Sequence, residues 1–125
     1  EAPTVCLMLG EGTGGGALAL LPADRVVSAE HSWLSPLPPE GASAILYRDT
    51  SHAPEIADAQ RVSAINLLEL GIVDRVVSEP VDPADDPVAF CRRIGQVLQH
   101  EIASLMHMAD DVRLTARLQK YDRLG

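Results

Sequence analysis

The residues with the clearest chemical potential lie in one stretch, Gly10-Glu11-Gly12-Thr13-Gly14-Gly15-Gly16-Ala17. Glycines carry no side chain, so a run of them lets backbone N–H groups converge on one negatively charged oxygen, as an oxyanion hole or a phosphate cradle does. Two chemistries compete. Gly10, Gly12 and Gly15 satisfy the G-x-G-x-x-G pattern of dinucleotide loops, Val5 to Leu9 reads as the preceding strand, and Glu30 stands twenty residues past Gly10, where a ribose ligand belongs. Against this, Ala17 to Leu21 runs into Pro22, which leaves about two helical turns where a parallel crossover usually takes a dozen residues or more. The segment after Glu30 is broken by Pro36, Pro38 and Pro39 and does not continue an alternation of strand and helix. A backbone oxyanion site at the start of a short helix is the favoured expectation.

The side chains offer little else. His31, His52, His100 and His107 are scattered without metal-ligand spacing, and no serine or cysteine stands in a nucleophile elbow. Cys6 and Cys91 lie in apolar surroundings without a C-x-x-C, so both read as buried thiols rather than zinc ligands or a disulfide. Glu11 and Glu30 have the chemistry of general bases, although Glu11 equally suits a structural acceptor for loop amides. Arg113, Arg117, Lys120 and Arg123 read as a solvated helix face, with an anion contact as the alternative.

A chain of 125 residues, 46% hydrophobic and 22% charged, supports one modest core. Its formal charge of −8 argues against nucleic acid or an anionic membrane as the main partner. With no span-length apolar run and no signal-peptide pattern, the expected compartment is the cytoplasm. The opening Glu1-Ala2-Pro3-Thr4 leads straight into strand-like residues, as if cut from a longer polypeptide.

The apolar pattern predicts a strand over Thr4 to Leu9, similar strands at Asp24 to Ser28 and Asp74 to Ser78, and a helix opened by Pro39-Glu40-Gly41. A short helix capped by Ser51 and another capped by Ser63 follow, the latter ended by Gly71. From Asp85, Val88, Cys91, Ile94, Leu98, Ile102, Leu105 and Met108 recur at helical spacing, and a last helix spans Val112 to Leu124, closed by Gly125.

The order of these pieces closely resembles the alpha half of the carboxyltransferase component of acetyl-CoA and related acyl-CoA carboxylases, within the crotonase superfamily. The resemblance rests on Gly10 to Ala17, His31-Ser32-Trp33, Pro39-Glu40-Gly41-Ala42, Leu70-Gly71-Ile72-Val73-Asp74 and the terminal Arg117-Leu118-Gln119-Lys120-Tyr121-Asp122-Arg123-Leu124-Gly125. It implies an α/β fold: residues 1–80 as the C-terminal part of a crotonase-like spiral of short strands and helices, and residues 81–125 as a C-terminal helical segment. It also implies the transfer of carboxylate from carboxybiotin to an acyl-CoA such as acetyl-CoA, in fatty acid biosynthesis. By the same resemblance, the N–H groups of Gly16 and Ala17 meet the biotin oxyanion, Gly14 and Gly15 leave room for the biotin ring, and no metal is held by this chain. Thr13-Gly14 stands where the common bacterial pattern has Gly-Ser, a swap that moves the loop hydroxyl to the preceding position and keeps the donors. The implied partners are a carboxyltransferase beta-like half or a preceding segment of the same polypeptide, a biotin carboxyl carrier protein and acyl-CoA, in an oligomer. The competing readings are an acyl-CoA hydratase or isomerase, for which Glu40 is the one convincing carboxylate, and a non-catalytic interaction fragment.

Overall fold

Residues 2–124 are described by a computed structural model; Glu1, and Gly125 with its expected role of closing the last helix, lie outside the described residues. Three short apolar runs form a parallel sheet in the order β1-β3-β5: β1 is Val5–Met8, β3 is Arg25–Ala29 and β5 is Arg75–Val77. β3 is central, with Val26, Val27, Ser28 and Ala29 buried, which is what β-branched and small residues covered on both faces produce. The two Asp-Arg-Val-Val-Ser segments are therefore adjacent strands, with Val27 paired to Arg75 and Ala29 to Val77. Asp74 joins them beyond the ladder: its N–H donates to Val26 O at 2.8 Å, and its carboxylate accepts the Val26 N–H at 2.7 Å.

A second parallel pair, β2 (Glu11–Thr13) with β4 (Trp33–Ser35), sits inside stretches that the sequence reads as a glycine loop and a proline-rich loop. These strands are three residues long and lack a hydrophobic alternation, so they exist because they pair with one another, Glu11 to Trp33 and Thr13 to Ser35. Helix α1 (Gly14–Leu20) follows β2 directly, and α2 (Pro39–Tyr47), α3 (Ala53–Gln60) and α4 (Ala64–Glu69) lie between β4 and β5. Ser63 caps α4 as expected, accepting the Asn66 N–H at 3.3 Å. Ser51 does not cap α3: His52 is the capping position, and Ser51 is drawn into a turn in which its N–H donates to Asp49 at 2.8 Å.

The long helix α5 (Pro87–Met106) is capped by Asp86 and places Ile94 and Val97 against Val27 and Val77 on one face of the sheet. Leu21, Leu34, Leu67 and Val73 cover Val26 on the other. Cys91 points away from that seam and is exposed, contrary to its expected burial, whereas Cys6 is half-buried. Helix α6 (Asp110–Asp122) carries Arg113, Arg117 and Lys120, with Arg123 at its C-cap. Arg113 is not solvated as expected but buried, with its guanidinium 3.2 Å from Asp24 and 2.8 Å from Asp110. Burial opposes the Asp24 charge, but the Thr4 N–H and hydroxyl, Arg113 and Arg117 outweigh it and hold the carboxyl below its usual range.

Candidate functional site

The glycine run is a strand-to-helix junction, because β2 ends at Thr13 and α1 begins at Gly14 with no connecting residue. Thr13 is the N-cap, in extended conformation (φ −132°, ψ 148°), and its side chain makes no capping hydrogen bond. The first three helical positions have no acceptor within their own helix; here they are Gly14, Gly15 and Gly16, with no acidic side chain in the first turn to take their N–H groups.

Each glycine can be asked why it bears no side chain. At Gly12 a Cβ would lie 3.0 Å from Leu34 Cδ1 and 3.3 Å from the Trp33 carbonyl, so close packing of β2 on β4 excludes one. Gly14 has φ +71°, the left-handed region in which side chains are strained. Gly15 and Gly16 have neither reason: φ is not left-handed at either, and an added Cβ would meet nothing within 4 Å. Helical glycine costs about 0.5–1 kcal/mol relative to alanine. Two positions of a seven-residue helix thus carry that cost with no return in packing, and leave bare backbone with open space in front of it. A planar ring approaching the helix start would need that space.

Ala17 occupies the fourth helical position, where a helix ladder first reaches back to its N-cap carbonyl. Its methyl is partly buried against the Leu21, Val26 and Leu34 cluster. The junction therefore brings together all four residues singled out from the sequence, Gly14, Gly15, Gly16 and Ala17.

The dinucleotide pattern dissolves here. Gly12 lies within a strand and Gly14 to Gly16 start the helix, so the fingerprint does not form one loop between strand and helix. Glu30 accepts the Glu79 N–H at 2.7 Å, while Glu79 accepts the His31 N–H at 2.7 Å and lies 3.0 Å from His31 Nδ1. This reciprocal clasp ties the turn after β3 to the end of β5. Glu11 is exposed, and its carboxylate accepts no hydrogen bond among the described residues, so its side chain is not the acceptor for loop amides. Glu40 stands in the first turn of α2, on the rim of a cavity of about 510 Å³ whose lining includes Glu30, His31, Trp33 and Ala57. His52 stacks on Tyr47, with ring centroids 4.1 Å apart, and His107 Nδ1 lies 2.6 Å from the Ala103 carbonyl. Burial pushes the Cys6 thiol up, against the opposing charge of Lys120, which keeps it protonated and poorly nucleophilic. No cluster of three or more metal-ligating side chains occurs among the described residues, and no described helix is long and apolar enough to cross a membrane.

All of residues 1–125 match a family model described as acetyl co-enzyme A carboxylase carboxyltransferase-like. The chain is 51% identical over 125 residues to a probable biotin-dependent acyl-coenzyme A carboxylase beta3 subunit of Mycobacterium tuberculosis, covering 100% of this chain and 25% of that protein. It is 40% identical over 126 aligned positions to the acetyl-coenzyme A carboxylase carboxyl transferase subunit alpha of Thermosynechococcus vestitus, covering 100% of this chain and 39% of that one. The chain thus spans between 25% and 39% of the length of these relatives. Among solved structures it superposes on a Pseudomonas malonate decarboxylase hetero-tetramer in complex with coenzyme A, with a TM-score of 0.69 over 97% of this chain and 47% of that chain at 19% identity, a likeness of fold alone. The short parallel strands, the glycine junction and the full-length match converge: the chain has a crotonase-like fold and belongs to the acetyl co-enzyme A carboxylase carboxyltransferase-like family.

Proposed function

We propose that this chain supplies the carboxybiotin side of the carboxyltransferase site in a biotin-dependent acyl-CoA carboxylase. The observation that carries the reading is the pair Gly15 and Gly16, bare of side chains for no conformational or packing reason, at the uncapped start of α1. Carboxybiotin, when bound, supplies the carboxyl group and a ureido oxygen that gains negative charge as the carboxyl leaves.

The chain's own contribution is electrostatic and positional. Gly16 presents an N–H that its helix leaves unused, and Ala17 shares its N–H between the Thr13 carbonyl and the oxyanion, a three-centre arrangement common at helix termini. Donors preorganised this way need no rearrangement as charge develops, and the start of a helix adds a favourable dipole. Gly14 turns the chain into the helix, and with Gly15 it leaves the ring free to approach. In this reading no side-chain acid or base is required of this chain.

In this reading residues 1–80 form the C-terminal portion of the carboxyltransferase core and residues 81–125 brace it. The acyl-CoA binds mainly on a beta-like half or a preceding segment, and a biotin carboxyl carrier protein delivers the biotin. The exposed Leu20, Ile45, Leu46, Val88 and Met106 support an apolar interface with such a partner in a cytoplasmic oligomer. The test is carboxyl transfer between malonyl-CoA and biotin or biotinylated carrier, measured in the complete enzyme that contains this segment. Transfer that depends on biotin is expected. Hydration or isomerisation of an acyl-CoA without biotin would overturn the reading.

A further inference from the structure

We infer that the C-terminal helix sets the position of the glycine helix and that Tyr121 is the residue through which it does so; the consequence for carboxyl transfer rests on the reading above. Helix α1 is poorly equipped to hold itself. It has seven residues, starts with Gly14-Gly15-Gly16, has no side-chain cap and contains no fully buried residue, whereas isolated helices shorter than about 12–15 residues are marginal even with favourable sequences. Its orientation has to be imposed from outside. On one flank Ala17 and Leu21 rest on the cluster of Val26, Leu34, Leu67 and Val73. At the C-terminal end the Tyr121 hydroxyl donates to the carbonyl of Leu21, the C-cap of α1, and lies 3.3 Å from the Ala23 carbonyl.

The phenol can serve as a latch because α6 is itself fixed at several points. Arg113 is buried against Asp24, whose carboxylate also accepts the Thr4 N–H at 2.8 Å. Next to the phenol, Lys120 Nζ lies 2.6 Å from the same Asp74 carboxylate oxygen that accepts the Val26 N–H from the central strand. Burial raises the Tyr121 pKa above its ordinary value, so the hydroxyl remains a donor across the neutral range. A helix moves as a rigid rod over so few residues, so any displacement allowed at Leu21 appears as a tilt of the amides from Gly14 to Ala17. The terminal segment Arg117 to Leu124 brings no reacting group to the site, and this is the work the structure assigns to it. Tyr121 is thus a positioning residue.

Tyr121→Phe, made in the complete enzyme, removes the hydroxyl and keeps the ring. Amide hydrogen exchange at Leu18 to Leu21 should accelerate roughly tenfold, the loss of about one hydrogen bond, while α5 exchange stays unchanged. Turnover of carboxyl transfer should fall roughly three- to tenfold with the acyl-CoA KM unmoved, as expected when donors are misplaced rather than substrate binding lost. Unchanged exchange in α1 would overturn the inference whatever turnover does. Accelerated exchange with undiminished turnover would leave the latch standing and overturn instead the assignment of the glycine junction to the reaction.

Discussion

Adding one methyl at Gly16 should stabilise the protein and disable it. Gly16 has φ outside the left-handed region, and an ideal Cβ there has no neighbour within 4 Å, so alanine enters without strain. Relative to glycine in a helix it should contribute about 0.5–1 kcal/mol, read as a roughly two- to fivefold slowing of amide exchange within α1. Helical Cα–Cβ bonds tilt toward the N-terminus, so the new methyl leans over the unpartnered amides at the helix start instead of away from them. On the proposed reading, it there takes up the room required by a ring whose oxygen would come within about 2.9 Å of the Gly16 and Ala17 N–H groups. Losing one such donor typically lowers turnover about a hundredfold or more, so Gly16→Ala should reduce carboxyl transfer by at least roughly tenfold even if the ring shifts to recover part of the contact. The assay pairs transfer between biotin and malonyl-CoA with exchange on the same sample of complete enzyme. Slower exchange in α1 with wild-type turnover would refute the reasoning, because it would show that the open space before Gly15 and Gly16 is not used.

Gly14 should behave in the opposite way. With φ +71°, Gly14→Ala should destabilise the junction by about 1–2 kcal/mol and lower the melting temperature; an unchanged melting temperature would show that the backbone there relaxes freely. The Asp24 carboxyl has a folded pKa below its ordinary 3.8, so its contribution to stability is complete above the ordinary carboxylate range and is lost as pH falls below about 4. Asp24→Asn should therefore be less stable than wild type near neutral pH, and the gap should narrow with acidification below that range; a gap constant down to pH 2 would refute the role of this charge.

What could be read from the sequence follows the reach of each interaction. The strands at β1, β3 and β5 and the helices α2 to α6 announce themselves through local periodicity, proline and serine positions and capping residues such as Ser63. The strands β2 and β4 do not, because Glu-Gly-Thr and Trp-Leu-Ser have no strand pattern of their own and become strands only through pairing across the chain. The basic run of α6 misleads for a related reason. Charges spaced along a terminal helix ordinarily face water, and nothing near Arg113 in sequence signals that Asp24, 89 residues away, waits beneath it. Likewise Cys91 keeps the helical spacing of the buried stripe that contains Ile94, yet the stripe is narrower than the spacing suggests and leaves the thiol exposed.

The candidate site shows a finer division. That glycines gather between Gly10 and Gly16 is plain from the sequence, but their types are identical and their reasons are not. Packing removes the side chain at Gly12, backbone conformation removes it at Gly14, and only coordinates can separate these from Gly15 and Gly16. The dinucleotide pattern fits on spacing because it counts Gly10, Gly12 and Gly15 as equivalent, whereas in the fold they belong to a turn, a strand and a helix. Once the glycines required by the fold are set aside, the two that remain lie side by side, at the only stretch of α1 whose amides the helix leaves unused. The fold needs neither of them to be glycine, and a ligand approaching the backbone closely needs both.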